Sequence, residues 1–455
     1  MRPTLFGSLR STATVALGRS ARVAARLRGG GTGGTALPGL VMEKTDPGFL
    51  RRTLDQLPLG VVVVSGTNGK TTTTKMLVQL LQEQGLTVLT NRTGSNFVRG
   101  VLASLLTEVS WSGHTDADVA VLELDEAHAV RFVQKVHPRG ALLLNVMRDQ
   151  LDRFGEIDYT AALLHQVAQA TTGVVVTNAD DPRLGADSFL DGLQARVSAF
   201  GVGAALRTLF PSDDDLRGGE SAPRPEAAHT PRADGLCPRP RVTLESLEGQ
   251  DAVIRVDGED HPITFTIPGV HNQLNAVAAL AMAVEVMGRR LDLASLLGTL
   301  SRVEAAFGRG EVLALDKRQI ELSLVKNPAG FRMGLLTAEQ AVRTQGPETV
   351  MVAINDEYAD GRDMSWLWDV DFSALRGSGV AVVTGVRAWD MALRLRYDDV
   401  EVGIVEPDLE RALDLLREAP GREEGRRMRV FTSYTAMLAL RARLAELTEV
   451  EEVMK

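Results

Sequence analysis

Four consecutive valines, Val61 to Val64, followed by Ser65-Gly66-Thr67-Asn68-Gly69-Lys70-Thr71-Thr72-Thr73-Thr74, constrain this chain more than any other stretch. A β-branched run without polar alternation reads as a strand covered on both faces, as in a parallel α/β sheet. Gly66 and Gly69 permit a tight turn and close approach of the backbone to an anion. Met76, Leu77, Leu80 and Leu81 then fall on one face of a helix predicted over 71–84. Strand, glycine loop and helix N-terminus aim amide N–H groups and the helix dipole at a phosphate, which makes Gly66, Thr67, Asn68, Gly69, Lys70, Thr71 and Thr72 the candidate nucleotide cradle. Lys70 can set its charge against β- and γ-phosphates, and Thr71 can offer a hydroxyl to magnesium. The spacing between the glycines is shorter than in the general P-loop pattern. ATP is the expected ligand; a plain glycine turn carrying a solvated lysine is the competing reading, and in either case Lys70 is expected outside the core.

A chain of 455 residues holds two or three domains with ample core. Its net charge of −9 gives no reason to expect nucleic acid, which favours basic surfaces. One cysteine, Cys237, excludes an internal disulfide and fits a reducing compartment. No apolar run approaches the ~20 residues that span a bilayer. The first segment carries Arg2, Arg10, Arg19, Arg22, Arg26 and Arg28, with no acid before Glu43. It has the look of an organellar transit peptide, and equally of a basic amphipathic helix with Leu9, Val15, Leu17, Val23 and Leu27 among its apolar positions. Such a helix packs on the protein or lies near an anionic membrane surface.

Strands are expected at 86–90, at 119–126 with acids at its carboxyl end, at 141–145 and at 174–178, and a turn at Thr93-Gly94-Ser95-Asn96. Glu123 sits where open α/β sheets place ligands and metals. Strands alternating with helices at this spacing indicate a doubly wound, mostly parallel sheet. Residues 205–240, with Asp213-Asp214-Asp215, Gly218-Gly219 and repeated prolines, read as a polar surface insertion. A β-hairpin is expected over 253–267, then Pro268-Gly269-Val270-His271-Asn272-Gln273-Leu274-Asn275 leading into an alanine-rich helix that ends near Met287. From about 310 a second, smaller Rossmann-like α/β region follows: strands at 349–355, 380–384 and 429–432, helices at 409–417 and 436–447.

Gly66 to Thr71, Glu123 and the run Gly269, His271, Asn272, Asn275 resemble the central ATPase domain of Mur ligases, which join amino acids to peptidoglycan precursors. Lys326-Asn327-Pro328-Ala329-Gly330-Phe331, the stretch Asn355 to Trp366 and Asp369-x-Asp371-Phe372 resemble the MurT family, the synthetase subunits of lipid II isoglutaminyl synthases that work with a GatD-type glutaminase. The resemblance runs from about residue 36 to the end. With the basic segment set at 1–47, it implies a Mur ligase-type ATP-binding domain over 48–309 and a MurT-type domain over 310–455. It also implies ATP-dependent amidation of the D-glutamate α-carboxyl of lipid II through an acyl phosphate, at the cytoplasmic face of a bacterial membrane, without nucleic acid. Lys70 and Glu123 would be catalytic and Thr71 and Glu123 would hold Mg²⁺. His271, Asn272 and Asn275 would line the nucleotide pocket, with helix capping as the alternative for the asparagines. Asp363 would complete the glutaminase site, against a helix N-cap as its plainer role.

Two departures from the family patterns stand out. Gln150 occupies the position where many amino-acid-adding Mur ligases carry a histidine, and no lysine lies between Lys135 and Lys317 to be carbamylated. The zinc ribbon frequent in MurT proteins is impossible here, since Cys237 is the one cysteine, so no zinc is expected. The competing functions are a stand-alone Mur or folylpolyglutamate-type ligase and a non-catalytic nucleotide-binding scaffold.

Overall fold

A computed structural model describes residues 5–28, 36–91, 97–148, 157–210, 212, 235–267, 269–303, 309–419, 421 and 425–448. The expected turn at Thr93–Asn96, the segment around Gln150, most of the polar insertion and Pro268 lie outside the described residues.

The valine run forms β1 (Val61–Ser65), every residue of it buried. Val61 and Val63 enter one apolar cluster while Val62 and Val64 enter another, so helices cover both faces of the strand, as unalternated hydrophobicity requires. Around it lie β2 (Val88–Thr90), β3 (Val119–Glu123), β4 (Gly140–Leu143), β5 (Val174–Asn178), β6 (Arg196–Val202), β7 (Val242–Glu248), β8 (Asp251–Val256) and β9 (Glu259–Thr264). Their order is β2-β3-β1-β4-β5-β6-β7-β8-β9. Pairing is parallel from β2 through β7 and antiparallel from β7 to β9. The chain leaves β1 to build one side of the sheet and returns to build the other, so the loop after β1 opens at a topological switch point, where such sheets bind ligands.

The expected hairpin at 253–267 is present, over 251–264. Its arms are β8 and β9, but pairing starts at Val242, because Val242 and Leu244 bury against the sheet and β7 joins β6 on one edge and β8 on the other. The hairpin thereby extends the main sheet.

A second sheet contains β10 (Arg309–Leu315), β11 (Arg318–Leu324), β12 (Glu348–Ala353), β13 (Val380–Thr384), β14 (Val402–Val405) and β15 (Arg427–Thr432), ordered β10-β11-β15-β12-β13-β14. Only the β10–β11 pair is antiparallel. The pattern of β1 recurs in β12, whose residues alternate between the two apolar clusters on either side of this sheet.

At the start of the chain, α1 (Leu5–Arg28) lies against α2 (Ala36–Thr45), and α3 (Phe49–Leu54) follows. Of the five apolar positions named in the sequence, Val15 is buried, whereas Leu9, Leu17 and Val23 are exposed and the side chain of Leu27 lies outside the described residues. The docking face is made of small residues instead: Ser11, Thr14 and Gly18, where a Cβ on Gly18 would stand 2.8 Å from Met42 Sδ.

Candidate nucleotide site

Beyond β1 the chain turns through Gly66 and Gly69 at φ +134° and +85°, in the left-handed region that glycine enters without strain, and α4 (Lys70–Glu83) begins. A side chain on Gly69 would also meet Asn275 Oδ1 at 2.3 Å, so the loop and α5 (Val270–Met287) touch there.

The loop is clamped from β4's end. Asn145 Oδ1 accepts from Asn68 N at 2.9 Å and its Nδ2 donates to Asn68 O at 3.1 Å, while Thr67 Oγ1 accepts from Met147 N at 3.0 Å. Thr71 Oγ1 donates to Glu123 Oε1 at 2.8 Å. Glu123 is buried rather than a surface acid, and its backbone is fixed by both amide atoms of Asn91 at 2.9 Å.

Lys70 corrects the expectation of a residue outside the core. It is buried at 6% exposure, its Nζ donating to Gly66 O at 2.5 Å and Thr67 O at 3.3 Å, with Asp125 at 3.4 Å and Glu126 at 3.6 Å. Two acids follow Glu123 in the chain because the acidic end of β3 runs beside the loop, and a buried ammonium needs such company.

One cavity of about 230 Å³ gathers most of the expected residues: Thr67, Asn68, Gly69, Lys70, Thr72, Glu123, His271, Asn272 and Asn275 line it. Gly66 and Thr71 are not among the lining residues. The expected capping role of the asparagines has no counterpart at the helix start, where Gly269 is the N-cap and no side chain caps. Hard oxygen donors from Thr71 and Glu123 side by side suit Mg²⁺, which takes few protein ligands and keeps the rest for phosphates and water.

The cavity's other wall comes from the second sheet, and here sequence reasoning missed residues that matter. Asn327 is fully buried at the start of α6 (Pro328–Gln345), caps it by accepting from Gly330 N at 2.7 Å, and donates through Nδ2 to Asn68 Oδ1 at 3.0 Å. Lys326 Nζ reaches Thr67 O at 3.4 Å, a second cation beside the loop. The signal was in the quoted Lys326-Asn327-Pro328 run, which carried no indication of its distant contact.

Asp363 is not in this cavity. It lies in the loop after β12, where its Oδ1 accepts from Ser365 N at 2.9 Å. Hydrogen bonding by Ser365 holds its carboxyl below the usual carboxylate range. Two neighbouring acids have partners within the fold: Asp360 is buried and accepts from Thr435 N at 2.8 Å, and Asp356 lies 3.4 Å from Arg387.

The description "Mur ligase middle domain" matches residues 64–215, and "MurT ligase C-terminal" matches 324–437. The lipid II isoglutaminyl synthase (glutamine-hydrolyzing) subunit MurT of Streptococcus pneumoniae is 30% identical over 457 residues, covering 96% of this chain and 98% of that one. The chain belongs to the MurT family. The MurT of Staphylococcus aureus agrees, at 28% identity over 89% of this chain and 92% of that protein. Among solved structures, the MurF ligase of Thermotoga maritima in complex with ADP superposes with a TM-score of 0.63 at 17% identity, over 90% of this chain and 84% of that one. MurT membership makes the chain a ligase with a Mur-type fold.

Proposed function

We propose that this MurT-family chain uses ATP to amidate the D-glutamate α-carboxyl of lipid II, with ammonia from a GatD-type glutaminase, in peptidoglycan synthesis at the cytoplasmic face of a bacterial membrane. The names of the relatives, which specify a glutamine-hydrolysing lipid II synthase and a subunit, support the substrate and the partner. The observation that carries the reading is one cavity lined by the buried Lys70, by Glu123 in its pair with Thr71, and by Lys326 from the second sheet's side.

A carboxylate does not react with ammonia because its oxygen is a poor leaving group. One carboxylate oxygen attacks the γ-phosphorus, the bond to the β-phosphate oxygen breaks, and ADP leaves. Ammonia nitrogen then attacks the acyl carbon, the carbon–oxygen bond breaks, phosphate departs and a proton is lost. Lys70 and the loop amides stabilise charge moving onto the bridging oxygen, with Lys326 closing from the opposite wall. Mg²⁺, held by Thr71 and Glu123, neutralises phosphate charge when bound. Asn275, Asn272 and His271 shape the nucleotide's wall. We read 48–309 and 310–455 as the two functional units, with 1–47 a separate basic segment and no structural zinc in the insertion.

A partner-bearing surface supports the glutaminase. Trp368, Trp389 and Tyr397 are exposed on or beside α7 (Ala388–Tyr397), and Val386 N donates to Asn355 Oδ1 at 3.0 Å, which ties this patch to the loop that carries Asp363. Large exposed aromatics so grouped mark protein interfaces. Asp363, kept ionised by Ser365, would orient a partner histidine and stabilise its imidazolium. Asp363→Asn should bind the glutaminase, lose glutamine-dependent amidation and keep amidation driven by high ammonium. Normal glutaminase activity in the assembled variant complex would show Asp363 to be a turn residue.

A further inference from the structure

The helix α1 turns a stripe of apolar residues away from the protein. Ser11, Thr14, Val15 and Gly18 are buried against the body of the chain, while Leu9, Ala13, Leu17, Val23 and Ala24 are exposed. At 100° per residue these exposed positions fall on one stripe, opposite the docking face. Leu9 is 69% exposed, Leu17 48% and Val23 57%, values too high for a face that packs inside the fold.

The helix is firmly fixed despite this. Asp46 is buried and bound by Arg10 at 3.1 Å, by Thr14 Oγ1 at 3.2 Å and by Arg52. A Cβ on Gly113 would come within 2.9 Å of Ser11 Cβ, so α1 is held closely on that side as well. An anchored helix that displays leucine and valine to solvent needs an occupant for that face.

Its charge names the occupant. The helix holds five arginines and no acid, in a chain whose net charge is −9. Beside the stripe, Arg19 lies over the Trp111 ring at 4.1 Å, and Trp111 is itself 57% exposed. Apolar stripe, flanking arginines and an edge tryptophan are what an anionic lipid surface selects: leucines enter the acyl boundary, guanidinium groups meet phosphates, and indole sits at the headgroup level. No helix among the described residues is long and apolar enough to cross a membrane, so α1 would lie on the surface.

We infer that the outer face of α1, with Leu9, Leu17, Val23 and Trp111, docks the enzyme on anionic membrane lipid. The inference deepens the proposed function and rests on it for its purpose, which is to hold the nucleotide cavity near a lipid-borne substrate. The test is co-sedimentation of the full chain, without partner or substrate, with phosphatidylcholine vesicles and with vesicles containing about one-third phosphatidylglycerol. The chain should bind the second kind alone and release as salt rises. The triple substitution L9E/L17E/V23E should weaken that binding about tenfold or more and leave the melting temperature unchanged, since the three side chains are exposed. Amidation of a soluble stem-peptide fragment by the variant complex should match the parent complex. If neither complex amidates the fragment, the function reading fails, whatever the vesicles show. No binding of the parent chain to anionic vesicles, or equal binding by the variant, overturns the inference. So does a variant that loses the glutaminase or changes its oligomeric state while still sedimenting, because the face would then belong to a protein.

Discussion

Lys70 sits between two loop carbonyls and two acids, so its charge is balanced before any nucleotide arrives. Binding a triphosphate exchanges that balance for a stronger one, since the phosphate oxygens carry more charge than the carbonyls they displace. Lys70→Met should lower ATP turnover by a factor on the order of 10³, the scale of one lost transition-state donor. It should also lower the melting temperature, because Asp125 and Glu126 lose their buried cation. Steady-state ATP hydrolysis with and without acceptor measures the first effect, and parental turnover would refute the cradle. Asn327→Ala removes the amide that holds Asn68 beside the cavity, and the KM for ATP should rise about tenfold, the equivalent of one good hydrogen bond. An unchanged KM would make that contact incidental. Gly66 to Thr72 were readable because a phosphate loop is local, its donors contiguous in the chain. Asn327 was not, because its partner Asn68 is 259 positions away and an amide–amide contact leaves no spacing in the sequence.

At the scale of elements, the anchoring of α1 through Asp46 has a pH dependence whose sign follows from its surroundings. Burial works to raise this carboxyl, but Arg52, Thr14 and Arg10 outweigh it and hold it below the ordinary value. A carboxyl lowered in the folded state stabilises fully above its unfolded value, near 3.8, and loses that contribution as pH falls through the folded one. α1 should therefore stay docked at neutral pH and loosen in acid below about pH 4, read as faster amide exchange across Ser11 to Gly18. Asp46→Ala should loosen it at pH 7, at a cost of about 2 kcal/mol. Protection that is independent of pH would place the anchor elsewhere. The strands were legible where β-branched residues ran unbroken, as at 61–64 and 174–177. The face of α1 was not, because its docking side is built of serine, threonine and glycine, whose fit depends on Met42 and Asp46 from elsewhere in the chain.

Over the whole molecule, two sheets close one cavity, and a separate surface carries Asp363 beside exposed aromatics. Phosphorylation and ammonia production would thus use two separate sites of one assembly, which a lone ligase would not require. Fold class was accessible from the alternation of elements, but the strand order and the meeting of the two sheets were not, since they depend on contacts between residues far apart in the chain. The measurement that tests the account most directly is the mass of lipid II after incubation with ATP, glutamine, this chain and its glutaminase. The account predicts replacement of one carboxyl OH by NH₂, lost when ATP or either protein is omitted. An unchanged mass from an assembled, folded complex, or addition of an amino acid by this chain alone, would contradict it.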